Sequence, residues 1–373
     1  MKELHIISFN YPYPPTYGGI IDVYYKIKAL SELGTIIHLH CFVDKIPQKV
    51  DDEIKSLVGN IFFYEKKKNP MLYFSRKPFA AAIRNSETLL KNLTTYKAPL
   101  LFEGLQTTAV INYLKDRGFK LYLRLHNNES AYYKGLAKSE KNILKKIIYT
   151  LESFKFHHYQ NKLLKKFNAV FCLSQKEYME TSNLSANAVL VHLFHGNEVV
   201  KNLDKKGDYF LFHGDLTTSD NKKALDETIL LFKSLPGYPL IVASDRANES
   251  IKKKINKIEN IRLVPIGNDD NLHRLFENAH ANILLSYQNS GTKVKLFNAL
   301  YNSRFVIINP NITDDKDLIN LCSYGSTIEE IRAHIMMLAE QNYNLTAERK
   351  EILQQNYSDK AKAKEIAAVI FKD

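Results

Sequence analysis

One alternation runs along the chain: a short apolar run, a turn rich in glycine or proline, a helical segment, then another apolar run. In the first half "LHIISFN", "TIIHLHCF", "NIFFYE", "PLLFEG", "KLYLRLH", "NAVFCLS" and "AVLVHLF" read as buried strands, with helical stretches between most of them. Strand, helix, strand in this order predicts a parallel sheet covered on both faces, because parallel neighbours need a crossover and the helix supplies it. Segment 20–33 shows the pattern clearly: Ile20, Val23, Ile27, Leu30 and Leu33 share one helical face, and Gly34 is a natural stop.

The pattern then restarts. "DYFLFHGDL", "YPLIVASD", "NIRLVPIG", "ANILLSY" and "RFVIINP" are further strands, separated by helices expected at about 221–235, 248–257, 270–279, 292–302 and 326–341. At 373 residues the chain exceeds a typical single core, so two domains are expected. The polar stretch "HGNEVVKNLDKKGD", 195–208, is the candidate linker. The expected division is 1–197 and 206–357, with a C-terminal helix at 358–373 returning to the first domain. The fold class is α/β: two doubly wound, Rossmann-like domains facing a central cleft, with ligands at the carboxyl ends of the strands.

Composition narrows the partners. Hydrophobic residues are 45% and charged ones 25%, as in a folded globular protein. No apolar run approaches the roughly 18–20 residues of a membrane span. "MKELHIISFNYPYP" enters a strand directly, without a signal-peptide pattern, so a cytoplasmic location is expected. Cys41, Cys172 and Cys322 are few and far apart, which fits buried thiols better than disulfides or a zinc site. The 52 Lys and Arg against 40 Asp and Glu give +12, favouring an anionic partner: a nucleotide, a phospholipid surface or nucleic acid.

Strand ends hold the chemistry. After the first strand, "NYPYPPTYGGII" places Gly18 and Gly19 where backbone can approach a sugar or phosphate, or make a tight turn. After "KLYLRLH", His126, Asn127, Asn128 and Glu129 form a polar cluster that is either a site or a helix cap. Glu103 ends "PLLFEG", to meet an acceptor hydroxyl or to cap a helix. "HGDLTTSDN" turns at Gly214 and reaches Asn221, a loop suited to phosphate or to capping. In "NSGTKVKLFNAL" a helix begins at a glycine with Lys293 and Lys295 beside its start. Cations there oppose the helix dipole, by roughly 0.3–1 kcal/mol, so an anion on the free amides of Gly291 and Thr292 resolves the conflict.

These stretches together resemble the GT-B glycosyltransferases of the retaining family 4 type, in a bacterial surface-polysaccharide branch. "PPTYGG", "RLHNNESAYY", "FHGDL…N" and "SGTKVKLFNALYNSRFVIINP" carry the resemblance, which extends over essentially the whole chain. It implies sugar transfer from a nucleotide diphosphate, with no metal and no cofactor beyond the donor itself. By the same resemblance Gly19 contacts donor phosphate or sugar and His126 the transferred sugar. Gly291, Thr292 and Lys295 hold the diphosphate, and the backbone of Ile266 and Gly267 meets the base. Glu103, Asn127 and Glu129 would face the acceptor. The family's two glutamates, eight positions apart, are Ser290 and Asn298 here, and Asp215 stands in the place of its usual arginine. Lys293, Lys295, Lys222 or Lys223 would then supply the missing charge. This departure motivates a second reading, a non-catalytic binding subunit.

Two basic stretches, 138–167 and 62–79, mix cations with apolar residues, including Ile143, Ile147, Leu151 and Phe154. They fit either a core-facing stripe with a solvated outer face or a peripheral contact with an anionic membrane. A nucleic-acid protein is the remaining class that +12 admits, but no nucleic-acid module is recognisable. The expected partners are therefore a nucleotide sugar and a glycan or lipid-linked acceptor.

Overall fold

The computed structural model describes residues 2–372 except 115–116, 141, 186 and 289–292. The chain forms two compact units, Met1–Gly196 with Asp359–Asp373, and Asn197–Ser358. The first is built on seven parallel strands: β1 (Lys2–Ser8), β2 (Thr35–Val43), β3 (Asn60–Glu65), β4 (Leu100–Glu103), β5 (Leu121–Arg124), β6 (Ala169–Cys172) and β7 (Ala188–Leu190). Their spatial order is β3-β2-β1-β4-β5-β6-β7. Side chains alternate between faces, so Leu4 and Ile6 join the core under the helix Gly18–Glu32, while Ile7 joins the core under Ile143–Leu163.

The C-terminal helix Asp359–Ile370 packs on the first unit through Ala363, Ile366 and Ile370. Its first residue fixes the end of that unit: the Asp359 carboxylate accepts from the amides of His195 (3.0 Å) and Gly196 (2.9 Å). Gly196 has φ +78°, and a Cβ there would lie 2.1 Å from the Tyr25 ring, so only glycine fits.

The second unit has six parallel strands: β8 (Tyr209–His213), β9 (Leu240–Ala243), β10 (Ile261–Val264), β11 (Ala279–Leu284), β12 (Phe305–Ile308) and β13 (Ser323–Tyr324). Their order is β10-β9-β8-β11-β12-β13. The order reverses after β8, as it does after β1 in the first unit, which opens a crevice at the carboxyl ends of the strands in each. Within the basic stretch 138–167 the helix is Ile143–Leu163, packed against the preceding helix Glu129–Ser139; Asn142 caps it by accepting from the Lys145 amide.

Candidate functional site

Beneath the carboxyl ends of β1, β4 and β5 lies a buried ion network. Lys26 Nζ donates to Asp22 Oδ2 at 2.8 Å and to Glu103 Oε2 at 3.0 Å, with no side chain of the three more than 2% exposed. Arg124 grips Asp22 with Nη2 (2.8 Å) and Nε (3.2 Å), and also donates to the carbonyls of Val191 (2.6 Å) and His192 (2.9 Å). Burial alone would raise both carboxyls. Arg124 and Lys26 instead hold Asp22 far below its ordinary value, and Lys26 with His126 lowers Glu103.

His126 rests on this network. Its Nε2–H donates to Glu103 Oε2 at 2.8 Å, and its Nδ1 lies 3.9 Å from Asp22 Oδ2. Phe9 packs edge-on against the ring at 5.3 Å, and a Cβ on Gly19 would stand 3.1 Å from Phe9 Cζ. Gly19, Phe9 and His126 therefore form one tightly packed wall. Asp22, Glu103 and His126 have the spacing of metal ligands, but the Lys26 ammonium already sits between the two carboxylates.

Glu103 is expected from the sequence to meet an acceptor hydroxyl or to cap a helix. It is wholly buried and turned toward Lys26 and His126, so it acts through them. His126 is 9% exposed with both ring nitrogens facing carboxylates, which leaves its backbone and ring edge, not a nitrogen, for any ligand above it. Asn128 caps the next helix by accepting from the Ala131 amide, and Asn127 is exposed. Burial pushes the Glu129 carboxyl up to about 7 despite the nearby charge of Arg84. That value suits a group that exchanges protons near neutral pH.

In the second unit the residues on both sides of 289–292 are fastened. Leu285 O accepts from Lys295 Nζ (2.9 Å), the Ser286 amide donates to Asn309 (3.0 Å), and the Tyr287 amide donates to Asp220 Oδ1 (2.7 Å). On the far side the Lys293 amide donates to Ile312 O at 3.2 Å. Helix Val294–Asn302 follows, without a capping side chain or an acidic residue in its first turn. Burial lowers the Lys295 ammonium to about 8, with Asp220 opposing that shift and Lys293 adding to it. His213, at the end of β8, is held neutral at about 3 by burial and then by the charge of Lys295.

No family model matches the chain. A Klebsiella pneumoniae protein described as an uncharacterized 44.6 kDa protein in the cps region is 23% identical, over 92% of this chain and 97% of that one. Among solved structures, the E. coli trehalose-6-phosphate protein bound with UDP-2-fluoro glucose superposes with TM-score 0.66, at 11% identity over 100% of this chain and 99% of its own. TarM gives 0.67, at 9% identity over 99% of both chains. WaaG, a glycosyltransferase involved in lipopolysaccharide biosynthesis, gives 0.62, at 11% identity over 100% of both. The chain has the GT-B fold.

On this GT-B framework several of the expected donor contacts are already engaged. The amides of Ile266 (2.8 Å) and Gly267 (2.9 Å) both donate to Asp245 Oδ1, and Ile266 O accepts from Asn268 and Asn271, so neither N–H is left for a base. Asn298 Oδ1 accepts from Asn197 Nδ2 at 2.9 Å, which occupies one of that oxygen's two lone pairs. Asn221 Nδ2 donates to Asp215 O at 2.9 Å and so braces the turn at Gly214. Ser290, Gly291 and Thr292 lie outside the described residues. Arg246 reaches Asp215 Oδ2 at 3.6 Å, a cation from the next strand end that is not among the neighbouring lysines named from the sequence. The signals that sequence reading overlooked were Asp22 and Lys26, an i,i+4 pair inside the apolar face of segment 20–33, and Arg124 inside a buried strand.

A cavity of about 1140 Å³ lies at the opposite ends of these strands, lined by Lys2, Pro99, Lys120 and others. In parallel α/β sheets ligands bind at the carboxyl ends, so this cavity is not the candidate site.

Proposed function

We propose that the chain is a glycosyltransferase that moves a sugar from a nucleotide diphosphate to a saccharide or lipid-linked saccharide in cell-surface glycan synthesis, retaining and without a metal. One observation carries the reading. Among the described helices of eight residues or more with a defined N-cap, Gly18–Glu32 and Val294–Asn302 alone lack both a capping side chain and a first-turn carboxylate. These are the two helix starts, one in each unit, expected to meet the donor. Elsewhere Ser, Thr or Asn caps satisfy the free amides, or an acidic residue offsets them. Where neither does, the free amides are open to water or to an anionic ligand.

In this reading Lys295 and the amides at the start of Val294–Asn302 take the charge that grows on the departing diphosphate. Gly19 keeps the start of Gly18–Glu32 open to the sugar, and the Lys26–Glu103 pair holds the His126 ring in one orientation. Glu129 accepts a hydrogen bond from the acceptor. The Klebsiella relative in the cps region supports a surface polysaccharide as the product class.

The test is thermal stabilisation of the purified protein by a panel of nucleoside diphosphates and nucleotide sugars, with Lys295→Ala in parallel. A shift with one nucleoside that the variant loses is the expected result; no shift from any of them in a folded protein rejects the reading. The second reading, a binding subunit, is motivated by Ser290 and Asn298 standing where the resembled family has two glutamates. Donor hydrolysis or transfer separates the two, because a subunit that only binds shows neither.

A further inference from the structure

Of the two readings open for the apolar stripe at 143–154, a face toward the core does not hold. Ile143, Leu144, Ile147, Leu151 and Phe154 are between 51% and 73% exposed, whereas Glu152, Phe156 and Leu163 on the opposite side of the same helix are buried. At 100° per residue the five fall within one arc of about 100°, centred well away from the buried side. Helix Ile143–Leu163 thus has an inner face in the core and a second, apolar outer face. A neighbouring loop also exposes apolar side chains: Met71 is 68% and Phe74 84% exposed. The loop is tied to the helix, since Lys155 Nζ donates to Tyr73 O at 2.6 Å and the Phe79 amide donates to Glu152 Oε2 at 2.7 Å. The Tyr73 and Phe79 rings stack at 3.8 Å.

Charge decides what covers this surface. Segment 138–167 carries eight lysines against two glutamates, and segment 62–79 five cations against one glutamate. Lys145, Lys146 and Lys162 are exposed along the same helix. In a symmetric dimer the patch would meet its own copy and set lysines against lysines, and lysine is depleted at protein interfaces. An apolar arc flanked by lysines instead fits a bilayer with anionic headgroups, where aliphatic and phenyl groups enter the acyl boundary and the ammonium groups remain among the phosphates. We infer that the outer face of Ile143–Leu163, with Met71 and Phe74, is a docking surface for an anionic membrane. The helix lies in the interface and does not cross it, since no described helix is long and apolar enough to span.

This inference is independent of the proposed reaction. Its test is co-sedimentation of the full chain with phosphatidylcholine vesicles, with and without about one third phosphatidylglycerol, at low and high salt. Binding to the anionic vesicles that weakens with salt is expected. Ile147→Ser/Leu151→Ser/Phe154→Ser and, separately, Lys145→Glu/Lys146→Glu should each weaken it ~10-fold or more at an unchanged melting temperature. Should the triple variant melt lower, Phe74→Ser, on the 84% exposed loop residue, carries the apolar arm and should also weaken binding. Wild-type protein that ignores anionic vesicles, or variants that bind as tightly as wild type, would overturn the inference. So would a wild-type dimer that the triple variant converts to a monomer.

Discussion

The two units treat charge at their strand ends in opposite ways. The first pairs its charges with one another: Lys26 and Arg124 hold Asp22 and Glu103 under His126, and the amide of Phe194 adds to Asp22 at 2.9 Å, while Glu103 Oε1 has no hydrogen-bond partner among the described residues. Among the described residues of the second, Lys295 has one hydrogen-bond partner, the Leu285 carbonyl at 2.9 Å, with a neutral His213 nearby, at a helix start without a capping side chain. The lesson is a division of labour. A network closed on itself fixes geometry, whereas a buried cation whose ammonium form is already disfavoured gains most when an anion arrives.

That contrast makes the largest predicted effect a matter of stability. Lys26→Met leaves Asp22 and Glu103 buried with their shared cation gone, and should cost about 3–5 kcal/mol in urea unfolding. Lys295→Met removes a cation that burial disfavours and should leave stability within about 1 kcal/mol of wild type, on the stabilising side. Equal losses from the two substitutions would erase the distinction between the units.

The next effect is acid sensitivity. In the first unit Asn92 donates to Tyr64 (2.9 Å), Tyr64 to His40 (2.8 Å), His40 to His5 (2.9 Å) and His5 to Tyr96 O (3.0 Å), a chain that needs both imidazoles neutral. Burial lowers His5 to about 4 and His40 well below its ordinary value, and in the second unit His213 to about 3. An unfolded imidazole takes its proton near 6.5, so below that pH the unfolded state holds more protons and stability falls as pH falls. The loss should reach about 1.4 kcal/mol per pH unit for each imidazole, down to the folded value. Glu129, raised to about 7, acts with the opposite sign as pH falls from there toward its unfolded value, so Glu129→Gln should steepen the decline. A urea midpoint that stays flat from pH 7 to pH 5 would contradict the neutral chain of histidines.

Much of this fold could be read from the sequence because the strands are buried on both faces and so appear as continuous apolar runs. β13 escaped because Ser323–Tyr324 is two residues long and partly exposed, which leaves no apolar run to detect. Helix periodicity placed Ile143, Ile147, Leu151 and Phe154 on one face but could not say which face the core would take. Glu152 and Phe156, on the opposite side, are the ones buried. At the site, residue types were legible and partners were not. Glu103 and His126 stood at neighbouring strand ends, but their bond at 2.8 Å depends on β4 and β5 pairing with Glu103 opposite Arg124, a register that no local pattern encodes. Asn298 likewise had the spacing of a ligand residue, and only the tertiary path of Asn197 shows where its oxygen goes.

The smallest effect is the most discriminating, because it counts protons at one residue. With its ammonium near 8, Lys295 is about half protonated at pH 8 in the free protein. A diphosphate at the start of Val294–Asn302 would favour the charged form and raise that value. Binding of a nucleotide sugar should then take up about half a proton at pH 8 and almost none at pH 6. Calorimetry in buffers of different ionisation enthalpy measures this directly, and a nucleotide sugar serves better than a free diphosphate because its own phosphates do not titrate there. Lys295→Met should abolish the uptake while weakening the donor ~10-fold or more, the usual loss for a charge-assisted hydrogen bond. In the first unit Lys26→Met should not change the uptake in whatever fraction remains folded, because the Lys26 ammonium is already paired with Asp22 and Glu103. Uptake that survives in Lys295→Met, or that disappears in Lys26→Met, would place the donor's charge somewhere other than the open cation of the second unit.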